Sequence, residues 1–227
     1  ILADAGADVS CLRVMDTESG CAFIEVNSKG QNRIIVSAGT NRMYTEEYIK
    51  NVLEKAEAGD FVLLQNEISE LDYIIEKASE KEMQIILNPS PYNNKLDKCD
   101  LNKISLFLVN EIEGEQITGE KEPDEILKKF SQMYPEASVV LTLGGDGAVY
   151  QDKKGIYRQG IFPVKAVDTT AAGDTFTGYF LASVLEKMSP EECLRMAAKA
   201  SSIAVSRLGA AASVPMRNEV MEALERE

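Results

Sequence analysis

The residues with the clearest capacity for chemistry lie between Asp168 and Phe176, where the sequence reads Asp-Thr-Thr-Ala-Ala-Gly-Asp-Thr-Phe. An apolar, strand-like stretch at residues 161–167 precedes them, and an amphipathic helix pattern follows. The first turn of a helix has unpaired backbone N–H groups and the positive end of the helix dipole, so it binds anions. Because residues 171–173 are small, a phosphate group could approach this backbone closely. The pattern therefore predicts a helix start that holds a phosphate.

Asp174 stands in the first turn of the same predicted helix, beside the expected phosphate. A carboxylate there would repel the phosphate unless it accepts the proton of a hydroxyl group that attacks the phosphorus. The pattern thus indicates phosphoryl transfer to an alcohol, with Asp174 as the catalytic base. The backbone N–H groups of Ala171, Ala172 and Gly173 would face the charge that develops on the transferred group. Spacing alone leaves a second interpretation open, an ordinary helix cap followed by tightly packed small residues.

These nine residues resemble the signature of the ribokinase-like (pfkB-type) carbohydrate kinase family, D-T-x-A-A-G-D-x-F, and match it at every position. Further segments resemble the family's motifs in the same order, at residues 88–91 (NPSP), 110–113 (NEIE), 142–147 (TLGGDG) and 206–210 (SRLGA). The resemblance covers essentially the whole chain. It implies an α/β fold with three layers, α/β/α, in which a mostly parallel central sheet carries a small β-strand lid.

The resemblance implies a sugar kinase that uses ATP to phosphorylate a primary hydroxyl group, with D-ribose as the favoured acceptor and D-ribose 5-phosphate as the product. Fructose, a deoxy-sugar acid or a nucleoside is the alternative acceptor. A different class of function is also open, because we expect the family's N-terminal segment, which grips the sugar, to be missing before Ile1. On that interpretation the chain is a truncated, catalytically incompetent kinase-like protein that binds a nucleotide or a partner.

The resemblance also implies roles for two groups of residues near the phosphates and the nucleotide. Asn110 and Glu113 would position Mg²⁺ and the phosphates. Glu113 would act through bound water, since Mg²⁺ retains much of its water shell. A lone N-x-x-E pattern is otherwise a helix cap with an exposed glutamate. The glycine-containing segment after a later strand would line the ATP site, although it would also suit a simple hairpin turn. Its residues are Thr142, Gly144, Gly145, Asp146 and Gly147.

Two further positions concern the contacts with the adenine ring and with the sugar. The family often carries an asparagine near the adenine, and the corresponding residue is Ala198, so we expect adenine contacts that differ or are weaker. Glu67 follows a predicted strand, and α/β sheets place ligands at the carboxyl ends of their strands. By resemblance, Glu67 and Asp174 would both contact sugar hydroxyl groups. The alternative for Glu67 is a solvated loop residue.

A monovalent-cation site beside the anion hole is a further implication of the resemblance, with K⁺ as an activator. One carboxylate, several backbone carbonyls and a serine hydroxyl would hold the ion, and oxygen ligands suit a hard cation. The matching positions are Asp168, Thr170, Ala204, Arg207, Gly209 and Ser213.

The composition narrows the class of partner. The chain of 227 residues carries a formal net charge of −13 without a basic cluster, which argues against a nucleic acid or an anionic membrane surface as a partner. Its four cysteines include no CxxC pair and it has no histidine, which argues against a Cys/His zinc site and fits reduced thiols in the cytoplasm. No apolar run reaches the length that a membrane helix needs.

The periodicity and the resemblance together predict one ribokinase-like domain over residues 1–227, with a β lid at about 9–39 and an α/β nucleotide-binding core at about 40–227. In the lid, residues 21–26 and 33–36 alternate like strands around a turn at 27–30. By resemblance this hairpin is a candidate homodimer contact, and an edge hairpin of the main sheet is the alternative.

The rest of the chain alternates between helices and strands. Thr45 caps a predicted helix that ends near Gly59, and a capping box at Ser189 opens another. Short apolar strands are predicted at residues 61–64, 84–87, 106–109 and 139–143. This alternation indicates a largely parallel sheet that helices cover on both faces.

Overall fold

The structure, a computed structural model, describes residues 1–26 and 32–226. The contacts divide the chain into two compact units, Ile1–Ile104 and Ser105–Glu227. The predicted hairpin turn at residues 27–30 lies outside the described residues. Across the two described ranges, the helices are all too short or too polar to cross a bilayer.

The first unit begins with an antiparallel pair of strands and continues with alternating helices and strands. In chain order these are β1 (Cys21–Val26), β2 (Asn32–Ser37), α1 (Glu46–Leu53), β3 (Phe61–Gln65), α2 (Leu71–Glu80) and β4 (Gln84–Asn88). The pairing of β1 with β2, with Cys21 opposite Ser37, confirms the predicted hairpin strands. Strands β3 and β4 are parallel, so helix α2 carries the chain back between them.

Local side-chain interactions explain where α1 begins, and burial corrects two predictions. Thr45 accepts a hydrogen bond from the N–H of Tyr48 at 3.3 Å and caps α1, as predicted. The helix ends at Leu53 rather than near Gly59, which instead stands in a turn with φ +87°. Strand β3 is less buried than predicted, because Leu63 and Leu64 point to opposite faces and only Leu64 is buried.

The two-stranded β1–β2 sheet exposes large apolar side chains. Phe23 and Ile35 lie opposite each other in the pairing and are 63% and 54% exposed. Opposite residues of paired strands point to the same face, so these two side chains form one apolar patch. A two-stranded sheet is only marginally stable by itself, which indicates a surface that packs against something else.

The second unit contains four more strands and the longest helices of the described chain. In chain order these elements are β5 (Leu106–Asn110), α3 (Glu111–Thr118), α4 (Pro123–Met133), β6 (Ser138–Thr142), β7 (Ala148–Gln151), β8 (Ile156–Gln159), α5 (Ala172–Leu185), α6 (Pro190–Val205) and α7 (Arg217–Glu225). Strand β5 is parallel to β6, and the pairs β6–β7 and β7–β8 are antiparallel. Phe107, Val140 and Leu141 are fully buried, so the core of this unit lies against β5 and β6.

Helices α5 and α6 begin and pack as their sequences predict. The side chain of Ser189 accepts a hydrogen bond from the N–H of Glu192, the Glu192 carboxylate accepts one from the N–H of Ser189, and Pro190 takes the first helical position. On α5, Phe176 and Phe180 lie one turn apart on a buried face and stack with ring centroids 6.2 Å apart.

The segment before α5 corrects another prediction, because residues 161–167 do not form a strand. Pro163 has no N–H to donate to a strand ladder. The apolar side chains of Ile161 and Val167 are 50% and 51% exposed. The segment ends where the N–H of Val167 donates to the carbonyl of Val205 at 2.8 Å. A coil anchored to α6 therefore leads into the nine-residue motif.

The three-layer α/β/α class predicted from the sequence is confirmed. A mostly parallel sheet of six strands is flanked by helices, and a small antiparallel sheet of two strands accompanies it. The residues of the nine-residue motif all lie in the second unit, and α5 begins within the motif.

Candidate active site

The start of α5 presents unpaired backbone N–H groups. Ala171, the residue before the helix, has φ 60° and ψ 12°, and no side chain caps the helix. A left-handed conformation at a non-glycine residue costs on the order of 1–3 kcal/mol and is typical of functional sites. The N–H of Ala172 donates to the carbonyl of Thr169 at 3.2 Å. The N–H groups of Gly173 and Asp174 have no acceptor among the described residues and remain available to an anion.

Gly173 is not required by the packing of the protein. A Cβ added at Gly173 would meet no heavy atom within 4 Å, and its φ lies outside the left-handed region. Gly145 is equally open. Gly147 differs, because its φ is +96° and a Cβ there would overlap the carbonyl of Gln159. Gly147 therefore serves the fold, whereas the small size of Gly173 leaves open space beside the helix start.

This open space belongs to a cavity of about 430 Å³ within the second unit. The structure thereby brings together seven residues that the sequence placed at the nucleotide or phosphate: Thr142, Gly144, Gly145, Gly147, Ala172, Gly173 and Ala198. Asp146 does not line the cavity; it lies exposed in a short 3-10 helix, Gly144–Asp146, within the turn between β6 and β7. The segment thus forms the hairpin turn between β6 and β7, and it also lines the cavity.

Several cavity residues were missed by sequence reasoning. The segment before α5 contributes Ile161 and Phe162, and α6 contributes Ser201 and Ser202. Helical spacing was the one available signal, since residues three and four positions beyond Ala198 share its face of α6. No pattern in the sequence marks the coil residues, because their position depends on how that coil crosses the helices.

Asp174 lines a second cavity, of about 360 Å³, together with Gly178 and Tyr179 of α5. Its neighbour Gly173 lines the first cavity, so the helix start separates the two. The carboxylate of Asp174 is exposed and forms no hydrogen bond with the described residues. An unengaged carboxylate next to free N–H groups can accept a proton from a hydroxyl group that approaches the same helix start.

Asp168 ties the motif to the loop after α6. Its carboxylate accepts hydrogen bonds from the N–H of Thr170 at 2.9 Å and from the N–H of Gly209 at 3.0 Å. Hydrogen bonds from the side chain and backbone of Thr170, and then that from Gly209, hold the pKa of Asp168 below its ordinary value. The group therefore carries a negative charge throughout the physiological pH range.

The oxygen atoms of the predicted K⁺ ligands differ in how far they are already engaged in hydrogen bonds. Ser213 is fully buried, and its hydroxyl donates to the carbonyl of Ala210 at 2.7 Å, which leaves its oxygen lone pairs for a cation. The guanidinium of Arg207 pairs with Glu219 at 2.6 Å, so only the carbonyl of Arg207 could serve as a ligand. The carbonyl of Ala204 already accepts the N–H groups of residues 206 and 207, and is the least suitable of the six.

Asn110 and Glu113 form a capping box at the start of α3. The side chain of Asn110 accepts the N–H of Glu113 at 2.9 Å, and the Glu113 carboxylate accepts the N–H of Asn110 at 3.1 Å. Glu113 is buried rather than exposed. The predicted helix cap is thus present. The role of the pair toward Mg²⁺ stays a prediction. Within the described ranges, no group of three or more His, Cys, Asp or Glu side chains could hold a metal ion.

Glu67 lies in the first unit, exposed, two residues after the end of β3. Its neighbour Asn66 is 2% exposed, donates its N–H to the carbonyl of Ser90 at 3.0 Å, and donates its amide to the carbonyl of Pro91 at 2.7 Å. These bonds join the loop after β3 to the loop after β4 and fix the backbone that carries Glu67. Sequence reasoning singled out Glu67 and missed Asn66.

Known proteins resemble this chain over most of its length. The family model "pfkB family carbohydrate kinase" matches residues 1–217. The ribokinase of Bacillus subtilis is 37% identical over 213 residues, which cover 93% of this chain and 70% of that protein. The ribokinase of Haemophilus influenzae is 34% identical over 232 residues, which cover 98% of this chain and 75% of that protein. A solved structure of Arabidopsis thaliana ribokinase complexed with ribose and ATP gives a TM-score of 0.76 at 30% identity, covering 92% of this chain and 70% of that one.

Proposed function

Since the chain belongs to the pfkB family of carbohydrate kinases, we propose that it transfers the γ-phosphate of ATP to the primary hydroxyl group of D-ribose and forms D-ribose 5-phosphate. The observation that carries this proposal is the start of α5. There, the N–H groups of Gly173 and Asp174 have no acceptor among the described residues, open space lies beside Gly173, and the unengaged carboxylate of Asp174 stands in the same helical turn. Ribose is favoured by the ribokinases among the relatives and by the similar structure that holds ribose and ATP.

The residues at the helix start account for the chemistry of this proposal. Asp174 accepts the proton of the sugar hydroxyl as its oxygen approaches the phosphorus, which is typically worth about 10²–10⁴ in rate. The N–H groups of Gly173 and Asp174 stabilise the charge that develops on the transferred group, and one such donor is worth roughly 10²–10³. Ala171 and Ala172 shape the turn that aims these groups. ATP with Mg²⁺ supplies the phosphoryl group and neutralises its charge.

Asn110 and Glu113 of the second unit, and Glu67 of the first unit, keep the proposed roles that the family resemblance implies. The capping box holds Asn110 at the carboxyl end of β5, where its amide could reach a water of the Mg²⁺ shell. Glu67, at the carboxyl end of β3, would accept hydrogen bonds from sugar hydroxyl groups. Residues 142–147 and Ala198 would border the nucleotide.

A coupled assay of ADP release tests the function directly. With Mg²⁺ and K⁺ present, D-ribose is expected to stimulate ADP release more than fructose, a deoxy-sugar acid or a nucleoside. Stimulation by one of these other acceptors would move the proposal to another sugar or nucleoside kinase. A chain that binds ATP without turnover on any acceptor would instead support the non-catalytic, nucleotide-binding alternative.

Potassium is expected to raise the turnover rate severalfold over sodium at equal ionic strength. The reason is that the charged Asp168 and the buried hydroxyl of Ser213 lie in the loops that flank the anion-binding helix start. Initial rates in KCl and NaCl check this expectation. The Asp168→Asn variant, which lacks the charge, is expected to lose the difference between the two salts. Equal rates of the unmodified chain in both salts would contradict the cation site.

We also propose that the exposed face of the β1–β2 sheet joins two copies of the chain. Replacing Phe23 by Glu is expected to shift the assembly from dimer to monomer, because a charge would enter an apolar contact. Light scattering after size exclusion gives the mass at matched concentrations. The control is Val14→Glu, at an 89% exposed residue outside this sheet, which should stay dimeric. A monomeric unmodified chain, or a dimeric Phe23→Glu variant, would rule out this contact.

The net charge of the chain indicates its remaining partners, and its free thiols indicate its compartment. The net charge of −13 supports small molecules, ATP and a sugar, rather than a nucleic acid or an anionic membrane. All four cysteines are free, which supports a reducing compartment, and we propose the cytoplasm.

A further inference from the structure

The cavity beside the start of α5 has one end whose side chains are apolar, and we propose that this end holds the nucleobase by apolar contact alone, so that the chain accepts GTP as well as ATP. This inference rests on the proposed kinase function and specifies the phosphate donors of the same site. It concerns the walls formed by Ile161, Phe162, Val164 and Ala198.

One part of α6 faces the phosphate-binding end of this cavity. The carbonyl of Val205, at the last residue of α6, accepts the N–H of Val167 at 2.8 Å, directly before the motif. The hydroxyl of Ser201 donates to the carbonyl of Ala172 at 3.1 Å, at the first residue of α5. Residues 201–205 of α6 therefore lie against the helix start that would bind the phosphates.

The preceding turn of α6 forms the other end. The ammonium group of Lys199 lies over the ring of Phe162, with Nζ 4.7 Å from the ring centroid. Phe162 and Ala198, the neighbour of Lys199, both line this cavity. With a helical rise of about 1.5 Å per residue, Ala198 lies about 10 Å along α6 from Val205. A base attached to phosphates at the start of α5 can reach this end.

The cavity offers few side-chain groups that could read a base. None of the described residues that line it has a charged or amide side chain. Its polar side chains are four hydroxyl groups, those of Thr142, Thr169, Ser201 and Ser202. Three of them already donate to carbonyl groups, Thr142 to Val109 at 3.4 Å, Ser201 to Ala172 at 3.1 Å and Ser202 to Lys199 at 2.7 Å. The fourth, Thr169, belongs to the motif at the phosphate end.

With no charged or amide side chain among the described residues of the cavity wall, we expect the selectivity between bases to be small. Every nucleobase offers a flat face that can stack on an aromatic ring, so stacking on Phe162 tolerates a change of base. A site built to hydrogen-bond its substrate rejects an analogue by about 10⁴–10⁵, whereas an apolar pocket discriminates by only about 10–200-fold. Adenine and guanine present the same ring system and differ in the groups at its edge, and the described cavity residues include no charged or amide side chain that would distinguish those groups.

Calorimetric binding of the β,γ-imido analogues of ATP and GTP, with Mg²⁺ and K⁺ and without acceptor, tests the proposal independently of turnover. The two dissociation constants are expected to differ by less than about 200-fold. A GTP analogue that binds more than about 200-fold more weakly than the ATP analogue would overturn the inference and leave the kinase function standing. Failure of both analogues to bind would overturn the inference together with the proposed function. Similar binding of both without turnover would support the inference and contradict the kinase function.

The Phe162→Ala variant tests where the base lies. Phe162 is only partly buried, so its loss should not unfold the chain. Both analogues are expected to bind roughly ten- to a hundredfold more weakly, by a common factor, because the stacking surface is lost. Inorganic tripolyphosphate should bind as before, since it has no base. The control is Ile156→Ala, at an exposed residue of β8 outside the cavity, which should change none of these affinities. Unchanged affinity of both analogues for the Phe162→Ala variant would overturn the placement.

Discussion

Replacement of Asp174 by Asn is expected to lower kcat by about 10²–10⁴ while the affinity for ATP changes little. Asparagine keeps the size of the side chain and the first-turn position on α5 but cannot take up the proton of the attacking hydroxyl group. The carboxylate of Asp174 is exposed and forms no hydrogen bond with the described residues, so the substitution should not destabilise the fold. Turnover in the coupled assay and calorimetric binding of the imido analogue separate the two effects.

A matched control for this change is Asp124→Asn. Asp124 also lies in the first turn of a helix, α4, and its exposed ion pair with Arg158 is worth little to stability. This variant should retain full turnover. Unchanged turnover of the Asp174→Asn variant would eliminate Asp174 as the base, and a parallel loss in both variants would indicate a general effect of removing a helix-start charge.

Replacement of Gly173 by Val is expected to lower kcat by roughly 10²–10³, because the branched side chain would fill the space in front of the free N–H groups. The fold should tolerate the change, since no heavy atom lies within 4 Å of the added Cβ and the backbone is not left-handed there. Helix propensity also changes little between glycine and valine, by less than about 1 kcal/mol. Turnover and the midpoint of thermal unfolding, measured together, distinguish a blocked site from a damaged protein.

The series Gly173→Ala and Gly173→Val should show a graded loss, as the smaller side chain fills less of the space. Gly160→Val is the control, because Gly160 is equally open, is not left-handed and lines neither cavity. It should keep its activity. A Gly173→Val variant with normal kinetics would show that the phosphate does not approach this backbone, and the anion hole would have to be sought elsewhere.

The parts of the fold and site that could be predicted are those encoded within a few residues. The caps at Thr45 and Ser189 were predicted because each joins a side chain to a backbone N–H three residues away. The capping box of Asn110 and Glu113 is equally local, although its burial was not foreseen. The hairpin strands β1 and β2 followed from alternation, and the α/β class followed from strands separated by helices.

The predictions that failed concern features set by distant residues. Residues 161–167 have the composition of a strand, but Pro163 and the anchoring of Val167 to α6 leave them as a coil. The apolar pattern predicts that Leu63 is a core residue, but its side chain is exposed. The burial of a strand residue depends on whether its own face of the sheet is covered. Pro163 is a local signal against a strand, whereas the anchoring of Val167 and the exposure of Leu63 depend on residues that are distant in the sequence.

The chemical groups at the helix start follow from the sequence, because the order of residues 168–176 decides which backbone turn forms and which carboxylate follows it. The surroundings of these groups depend on tertiary packing. It separated Gly173 and Asp174 into different cavities, brought the N–H of Gly209 to Asp168 across 41 positions, and placed Phe162 in the wall of the cavity beside Gly173. The physical reason is range: caps and turns depend on neighbours within one helical turn, whereas a cavity exists only between elements that packing brings together.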